Sequence, residues 1–559
     1  MNAAPRTPPQ TADGPCVPPE PRYELTTLGL LKWGVAQFGG TDLLVTDQDV
    51  HLTYADAETE SRRLAKRLVA AGAGKGTRVA GQFAYGPEWI ITWLAVTRIG
   101  AVYIPLSTAY KPRELREALR HSDTAIFLAP RVMFGEDRLG FYEEALPGLA
   151  NSTAGALRLS PAPYLRTICV LAATSPAPWA TPLRAIGDPD ADVDGVDDAL
   201  IEEIESELSP ADLAIAVYTS GTSGEPKGVL HTHGALARKA TSLAWYMRWE
   251  QGDRVFCGMP FFWIGGVGMT VPPAMAVGAT LLCTERPHAR QALDLVLNED
   301  ATRLTGWPGV IGPLLALAAE EGKEIPALQR HQLAVNTGGE RVSSLGMTET
   351  IASHTFVSPN APLPEAVDPK APHGACVGPA LAGMEHRIVD PHAGTDLPDG
   401  EPGVLLVRGF ALTVGLIKRE RDDVFTEDGW YNTGDRCYFR NGNLYRLGRI
   451  NELIKTSGNN VAPAEVEKVL LEFPDVAQAH VAGVPDPERG EVVAALIVPN
   501  AGCKPAADEI RERVRTQISN YKVPRFVLFC RADAVPWLAS GKVDRLGIKA
   551  RLVEAYGKR

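Results

Sequence analysis

Between residues 55 and 128 the spacing of apolar positions switches repeatedly between helical and strand-like. Residues 55–71 carry apolar side chains at helical spacing and stop at Gly72, and residues 78–83 read as a short strand. Residues 87–99 read as a helix opened by proline and closed by Gly100. Residues 101–105 are strand-like, 112–121 amphipathic, and 124–128 strand-like again. This β-α-β-α-β rhythm predicts a parallel sheet covered by helices. Residues 176–196, rich in Pro, Ala and Asp, predict an irregular surface connection. Residues 213–218 form an apolar strand that runs straight into a Gly/Ser/Thr loop. Further strands are expected near Val255, at 280–283 and at 333–335. From 403 to 449 the pattern changes to short strands with Gly and Asp turns. Beyond 449 it predicts a smaller α/β unit with helices at 463–472 and 509–518 and strands at 477–484 and 492–498.

Composition narrows this picture. The 559 residues are 45% hydrophobic and 22% charged, enough for more than one domain around a large core. The net charge of −11 argues against non-specific nucleic-acid binding, which needs positive charge. Residues 1–22, rich in Pro and Thr, lack the basic start and apolar stretch of a signal peptide and read as a disordered tail; a cytoplasmic location is expected. Residues 255–284 carry no charged side chain and are long enough to suggest a membrane span. Pro260, Pro272, Pro273 and five glycines oppose that, since lipid cannot satisfy carbonyls freed by a mid-helix Pro-Pro pair. A strand, loop and helix buried in a large domain is expected instead. The eight cysteines are scattered without a Cys-x-x-Cys pair, which points to isolated thiols rather than a zinc ribbon or disulfide framework.

The densest chemistry lies at Tyr218-Thr219-Ser220-Gly221-Thr222-Ser223-Gly224-Glu225-Pro226-Lys227-Gly228. A strand delivers a loop of small residues whose N–H groups and hydroxyls can wrap phosphate oxygens, and Lys227 adds positive charge. The spacing differs from that of an ordinary P-loop. This segment resembles the phosphate-binding loop of the adenylate-forming (AMP-binding) superfamily, in its acyl-CoA synthetase branch. The resemblance spans about residues 23–545, and further motifs follow in the family's order. Gly338-Gly339-Glu340 resembles the adenine-contacting turn. Leu345-Gly346-Met347-Thr348-Glu349 resembles the motif whose Thr contacts the α-phosphate and whose Glu holds Mg²⁺. A carboxylate at a polyphosphate site makes sense when a metal intervenes. Tyr431-Asn432-Thr433-Gly434-Asp435 and Gly448-Arg449 resemble the ribose motifs. Ser540-Gly541-Lys542 resembles the catalytic lysine motif, and Lys455 with Ser457-Gly458-Asn459-Asn460 resembles the coenzyme A channel segment. His231 and His233 suggest a metal pair, but with no third ligand evident they are expected to pack and hydrogen-bond behind the loop.

The resemblance implies a large N-terminal α/β domain (23–450) of parallel-type sheets with a small β-barrel-like subdomain. It also implies a small mobile α+β C-terminal domain (451–559) hinged at Asn451. It implies ATP, Mg²⁺ and coenzyme A as cofactors, with catalysis by Lys542, Thr348 and Lys227. A carboxylic acid is expected to bind near Phe262, Trp263, Gly266 and Val267. With no Asp or Glu between Gly258 and Thr284 to hold an ammonium, a fatty, alicyclic or aryl acid is favoured over an amino acid. A carrier protein as acceptor and an inactive nucleotide sensor are the alternatives, and a homodimer is admitted. Four departures from the family pattern stand out. Trp263 replaces a common His, Leu345 replaces an adenine-stacking aromatic, and Asn451 replaces the usual hinge Asp or Lys. Finally, only six residues separate Glu340 from Met347.

Overall fold

The computed structural model describes residues 10–11, 14–15, 17–171, 176–183, 195–220, 226–286, 288–306, 308–326, 344–357, 375–391, 393–449, 453–537 and 543–557. It is an α/β structure whose contacts divide into two compact units. One comprises Met1–Thr108, Leu119–Tyr218 and Gly228–Gly448; the other comprises Ala109–Ala118, Thr219–Lys227 and Arg449–Arg559.

Three sheets of five or more strands carry the described residues of the first unit. In the largest, the strands lie in the order Thr181–Leu183, Thr167–Leu171, Ile126–Pro130, Arg78–Gly81, Val102–Pro105, Leu213–Ser220, Pro226–Thr232 and Gly415–Leu416. Its central pairings are parallel, with Arg78 opposite Val102 and Val79 opposite Ile126. Val79, Ala80, Tyr103, Ile104, Phe127 and Leu128 are all buried. Burial on both faces explains why these strands read as unbroken apolar runs rather than as alternation. The helix Pro87–Arg98 packs Trp89 and Trp93 into the same core as Tyr103 and Phe261. Helix Tyr54–Ala70 is fixed at its start by a capping box between Thr53 and Asp56.

A second sheet orders Arg303–Gly306, Arg254–Gly258, Thr280–Cys283, Asp42–Thr46 and His51–Thr53. The uncharged stretch 255–284 therefore forms a strand, two short helices (Ile264–Met269 and Val271–Val277) and a second strand. Pro272 and Pro273 fall in the first turn of the second helix, where their missing N–H groups have no intrahelical partner to lose. Among the described residues no helix is long and apolar enough to cross a membrane. The third sheet, of five antiparallel strands from Ala375–Gly378 to Asn443–Arg449, occupies the region expected to be β-barrel-like. The strand expected at 333–335 lies outside the described residues.

In the second unit, strands Val476–Asp486 and Gly490–Pro499 form a long hairpin, and the free edge of Gly490–Pro499 takes Ile454–Thr456 at its start and the parallel Phe526–Phe529 further along. The two faces separate by parity. Val493, Ala495 and Ile497 pack with Val466, Leu470, Ile510 and Val514 of helices Pro463–Leu471 and Ala507–Gln517. Val492, Ala494, Leu496 and Val498 pack with Ile548 and Leu552 of helix Arg545–Tyr556. Of the described cysteines, Cys169, Cys257, Cys283 and Cys437 are buried, Cys376 and Cys530 are half-buried, and only Cys503 is exposed.

Candidate active site

A short hairpin carries the most distinctive residues. Strands Gly346–Met347 and Ala352–Ser353 pair antiparallel, and Thr348–Thr350 form one 3₁₀ turn between them. Its base is closed by the Leu345 N–H, which donates to the Thr355 hydroxyl at 2.8 Å, and by the His354 N–H, which donates to the Leu345 carbonyl at 2.8 Å. A side chain at Gly346 would meet the Ala352 backbone at 2.6 Å, so the pairing requires glycine there. Thr348 and Thr350 are buried and Glu349 is half-buried. Two bonds fix Glu349: its carbonyl accepts from the Thr413 N–H at 2.7 Å, and its carboxylate accepts from the Tyr431 hydroxyl at 2.8 Å. Behind the turn, His231 Nε2 donates to the Thr348 carbonyl at 2.8 Å; burial lowers the pKa of this imidazole to about 4. His233 faces a different partner, Thr27, whose N–H lies 3.3 Å and hydroxyl 2.9 Å from Nδ1.

Tyr431 begins the strand Tyr431–Arg440, which also carries Asp435. Asp435 is 3% exposed. Its carboxylate accepts from Arg446 Nε at 2.7 Å, and its N–H donates to the Thr433 hydroxyl at 3.0 Å. Arg446 was not among the residues expected from the sequence. The signal lay in Asn441-Gly442, whose φ angles of 49° and 76° make the two-residue hairpin turn that aligns this strand with Asn443–Arg449. Counted back from that turn, Asp435 and Arg446 fall on one face of the ladder, diagonal to each other. Arg449 ends the second strand; its side chain lies outside the description.

The expected acyl-binding residues surround the helix Ile264–Met269. Phe262 is buried, and its ring lies 5.6 Å from that of Trp263 and 6.2 Å from that of Tyr85. Trp263 is half-buried and precedes the helix, its carbonyl accepting from the Val267 N–H at 3.0 Å. Val267 is fully buried in the main core. Gly266 backs onto the chain so closely that a Cβ would meet the Pro260 carbonyl at 2.3 Å.

The remaining expected residues are partly described. Thr219 and Lys227 are half-buried on the strands that flank the loop, and Ser220 ends the first of them. Gly221, Thr222, Ser223, Gly224, Gly338, Gly339, Glu340, Asn451 and Lys542 lie outside the described residues. In the second unit, Ser457 and Gly458 (φ 48° and 83°) form a two-residue turn in which Lys455 pairs Asn460 and Thr456 pairs Asn459. The Arg489 guanidinium donates to the Ser457 hydroxyl at 3.3 Å.

Comparison with known proteins identifies the family of the chain. Residues 31–416 match the AMP-binding enzyme family, and residues 465–542 match its C-terminal domain. The chain belongs to the AMP-binding enzyme family. It is 28% identical over 522 residues to the indoleacetate–CoA ligase of Aromatoleum aromaticum, covering 91% of this chain and 94% of that one. It is 24% identical over 533 residues to the mitochondrial medium-chain acyl-CoA ligase ACSF2 of Bos taurus, covering 91% and 84%. In fold it is similar to the amide bond synthetase McbA of Marinactinospora thermotolerans, with a TM-score of 0.73, 24% identity and coverage of 93% of this chain and 99% of that one.

ATP, Mg²⁺ and coenzyme A are the cofactor set of this AMP-binding enzyme family. The donors present fit Mg²⁺ held jointly with a nucleotide. Among the described residues no cluster of three or more His, Cys, Asp or Glu could cage a metal, whereas Glu349 offers one anchored carboxylate. Mg²⁺ is commonly held that way, by one or two carboxylates together with substrate phosphates. Leu345, at the position where the family usually has an aromatic, is buried among Val377, Leu405, Val407 and Tyr431 of the third sheet.

Proposed function

We propose that this chain activates an apolar carboxylic acid as its acyl-adenylate and transfers the acyl group to coenzyme A. The observation that carries this reading is the Tyr431–Glu349 hydrogen bond. It ties the Thr348–Glu349 turn to the strand of Asp435, so one strand serves both the polyphosphate and the ribose of a nucleotide. A preference for an apolar acid is supported by Tyr85, Phe262 and Trp263 and by the absence of acidic residues from Gly258 to Thr284. The named substrates of the two ligases compared, an arylacetate and medium-chain acids, are of that kind.

A carboxylate oxygen attacks the α-phosphorus, and the bond from that phosphorus to the bridging oxygen breaks, releasing pyrophosphate. Lys227, Lys542 and the Thr348 hydroxyl stabilise charge on the phosphate oxygens, while Asp435 accepts from the ribose hydroxyls and Arg446 balances its charge. Mg²⁺ held by Glu349 would neutralise phosphate charge. A thiol then attacks the acyl carbon, AMP leaves, and the thiol proton passes to solvent. In this proposal residues 23–450 supply the nucleotide and acyl sites. Residues 451–559 turn about Asn451 between steps, withdrawing Lys542 and presenting Lys455 and the Ser457-Gly458-Asn459-Asn460 turn, in a cytoplasmic enzyme.

Pyrophosphate release against a panel of acids, with and without coenzyme A, tests the reading. Acid-dependent release with thioester formation is expected; release without any thioester would favour another acceptor, such as a carrier protein. Lys542→Ala should lower acyl-adenylate formation by about 10²–10³ while leaving thioester formation from synthetic acyl-adenylate near normal. Equal loss of both half-reactions would remove the two-step role of Lys542.

A further inference from the structure

The backbone following Thr348–Thr350 is strained. Ile351 and Ala352 lie at φ 50° and 66°, the only adjacent pair of non-glycine residues in the left-handed region among the described residues. That conformation costs an L-residue about 1–2 kcal/mol, and a β-branched side chain is rarely found there. Such strain persists only where the surroundings over-determine it.

Two buried side chains grip this turn by its carbonyls. His231 Nε2 holds the Thr348 carbonyl at 2.8 Å, before the strained pair. Lys239 Nζ holds the Ser353 carbonyl at 2.5 Å, after it. Both come from one continuous stretch: His231 from strand Pro226–Thr232, and Lys239 from the second turn of helix His233–Tyr246. They are 0% and 1% exposed. Lys239 faces the imidazoles of His231, His354 and His386 and the ring of Phe410, 5.8 Å away, and no carboxylate among the described residues. A buried amine whose partner among the described residues is one carbonyl is a poor device for stability, and an apolar residue of similar size would fill the space without desolvating a polar group. Violations of that kind collect where function requires them.

We propose that His231 and Lys239 are positioning residues for adenylation: they clamp the strained turn at both ends and so set where Thr348 and Glu349 meet the nucleotide. Neither touches the reacting atoms. The inference rests on the proposed function, because it assigns that turn to the nucleotide.

The test compares Lys239→Met, His231→Leu and His231→Gln, the last retaining an N–H donor. Three quantities are read: the affinity for MgATP by calorimetry, the Mg²⁺ dependence and rate of pyrophosphate release, and the melting temperature. Lys239→Met and His231→Leu should slow release by about 10²-fold, the cost of misplacing groups by roughly an ångström. They should weaken MgATP binding, raise the Mg²⁺ requirement and leave the KM for the acid unchanged. The melting temperature of Lys239→Met should hold or rise, and His231→Gln should recover most of the rate. Equal loss in every parameter with a lowered melting temperature would make both residues merely structural and overturn the proposal. So would unchanged MgATP affinity and rate. If wild-type protein releases no pyrophosphate with any acid, the proposed function fails, and MgATP affinity still decides the clamp: weakened in the variants it stands, unchanged it falls.

Discussion

Lys239 and Lys522 are buried to nearly the same degree, 1% and 4% exposed, yet their environments act in opposite directions. Lys239, in the first unit, meets one backbone carbonyl, and burial lowers its pKa to about 7. Lys522, in the second unit, also suffers burial, but Tyr521, Glu465 and Glu114 outweigh it and hold the pKa well above the usual lysine value. Its ammonium donates to Glu114 at 2.7 Å and Glu465 at 2.6 Å, and the Ser519 hydroxyl donates to the second Glu114 oxygen at 2.8 Å. Depth alone therefore does not decide the state of a buried base; its counter-charge does. The first unit extends the pattern to His354 and His386, whose rings meet at 2.9 Å, and to His233, where Asp212 offsets burial only in part. Burial is the leading cause that lowers the pKa of each: to about 4 for His233, about 3 for His386, and well below the usual range for His354.

Acidification should produce the largest difference between the units. A histidine with a lowered folded-state pKa takes up its proton in the unfolded chain first. Stability of the first unit is then complete above about pH 6.5 and falls as pH drops toward 4, by about 1.4 kcal/mol per pH unit for each such group. Melting followed from pH 7 to 5 checks this. A flat first-unit transition would mean that these rings are not buried neutral.

Replacing Lys522 by Met should come next in size. It leaves Glu114 and Glu465 buried without their cation, so the second unit should lose about 3–5 kcal/mol in denaturant unfolding at neutral pH. A loss below about 1 kcal/mol would reduce the pair to surface-like strength.

The most gradual effect concerns Lys239 under alkali. Between about pH 7 and 10.5 the unfolded chain keeps a proton that folded Lys239 has lost. This side chain should therefore raise stability with pH, by about 1.4 kcal/mol per unit at most. Because tyrosines and cysteines titrate in the same range, the measurement is the difference between wild type and Lys239→Met. A difference that does not change with pH would refute the lowered pKa.

Local signals carried much of this structure. The strand expected at 280–283 is Thr280–Cys283, the helix expected at 112–121 is Pro112–His121, and the strands expected at 477–484 and 492–498 lie within Val476–Asp486 and Gly490–Pro499. The Thr348-Glu349 and Asp435 motifs were visible as residue types, and the family matches agree with the resemblance they carried. What joins them was not visible. Tyr431 reaches Glu349 across 82 positions and Lys239 reaches Ser353 across 114, contacts that depend on how sheets stack and not on any spacing in the chain. Lys239 also reads as an ordinary solvated lysine, because its helix gives no warning that this position is enclosed. The strain at Ile351 was hidden for the opposite reason: an isoleucine is the last residue whose presence would suggest a left-handed turn.

The distribution of thiols gives the molecule a ready experimental handle. Burial pushes Cys169 up to about 12 and Cys257 up to about 11, so neither offers thiolate to a reagent at neutral pH. Cys503, exposed in a turn closed on the Asn500 carbonyl, is the accessible thiol among the described residues. Among the described cysteines a maleimide dye should therefore react first at Cys503, marking the second unit. Its anisotropy and energy transfer to a labelled nucleotide would then follow that unit through a catalytic cycle in the native protein.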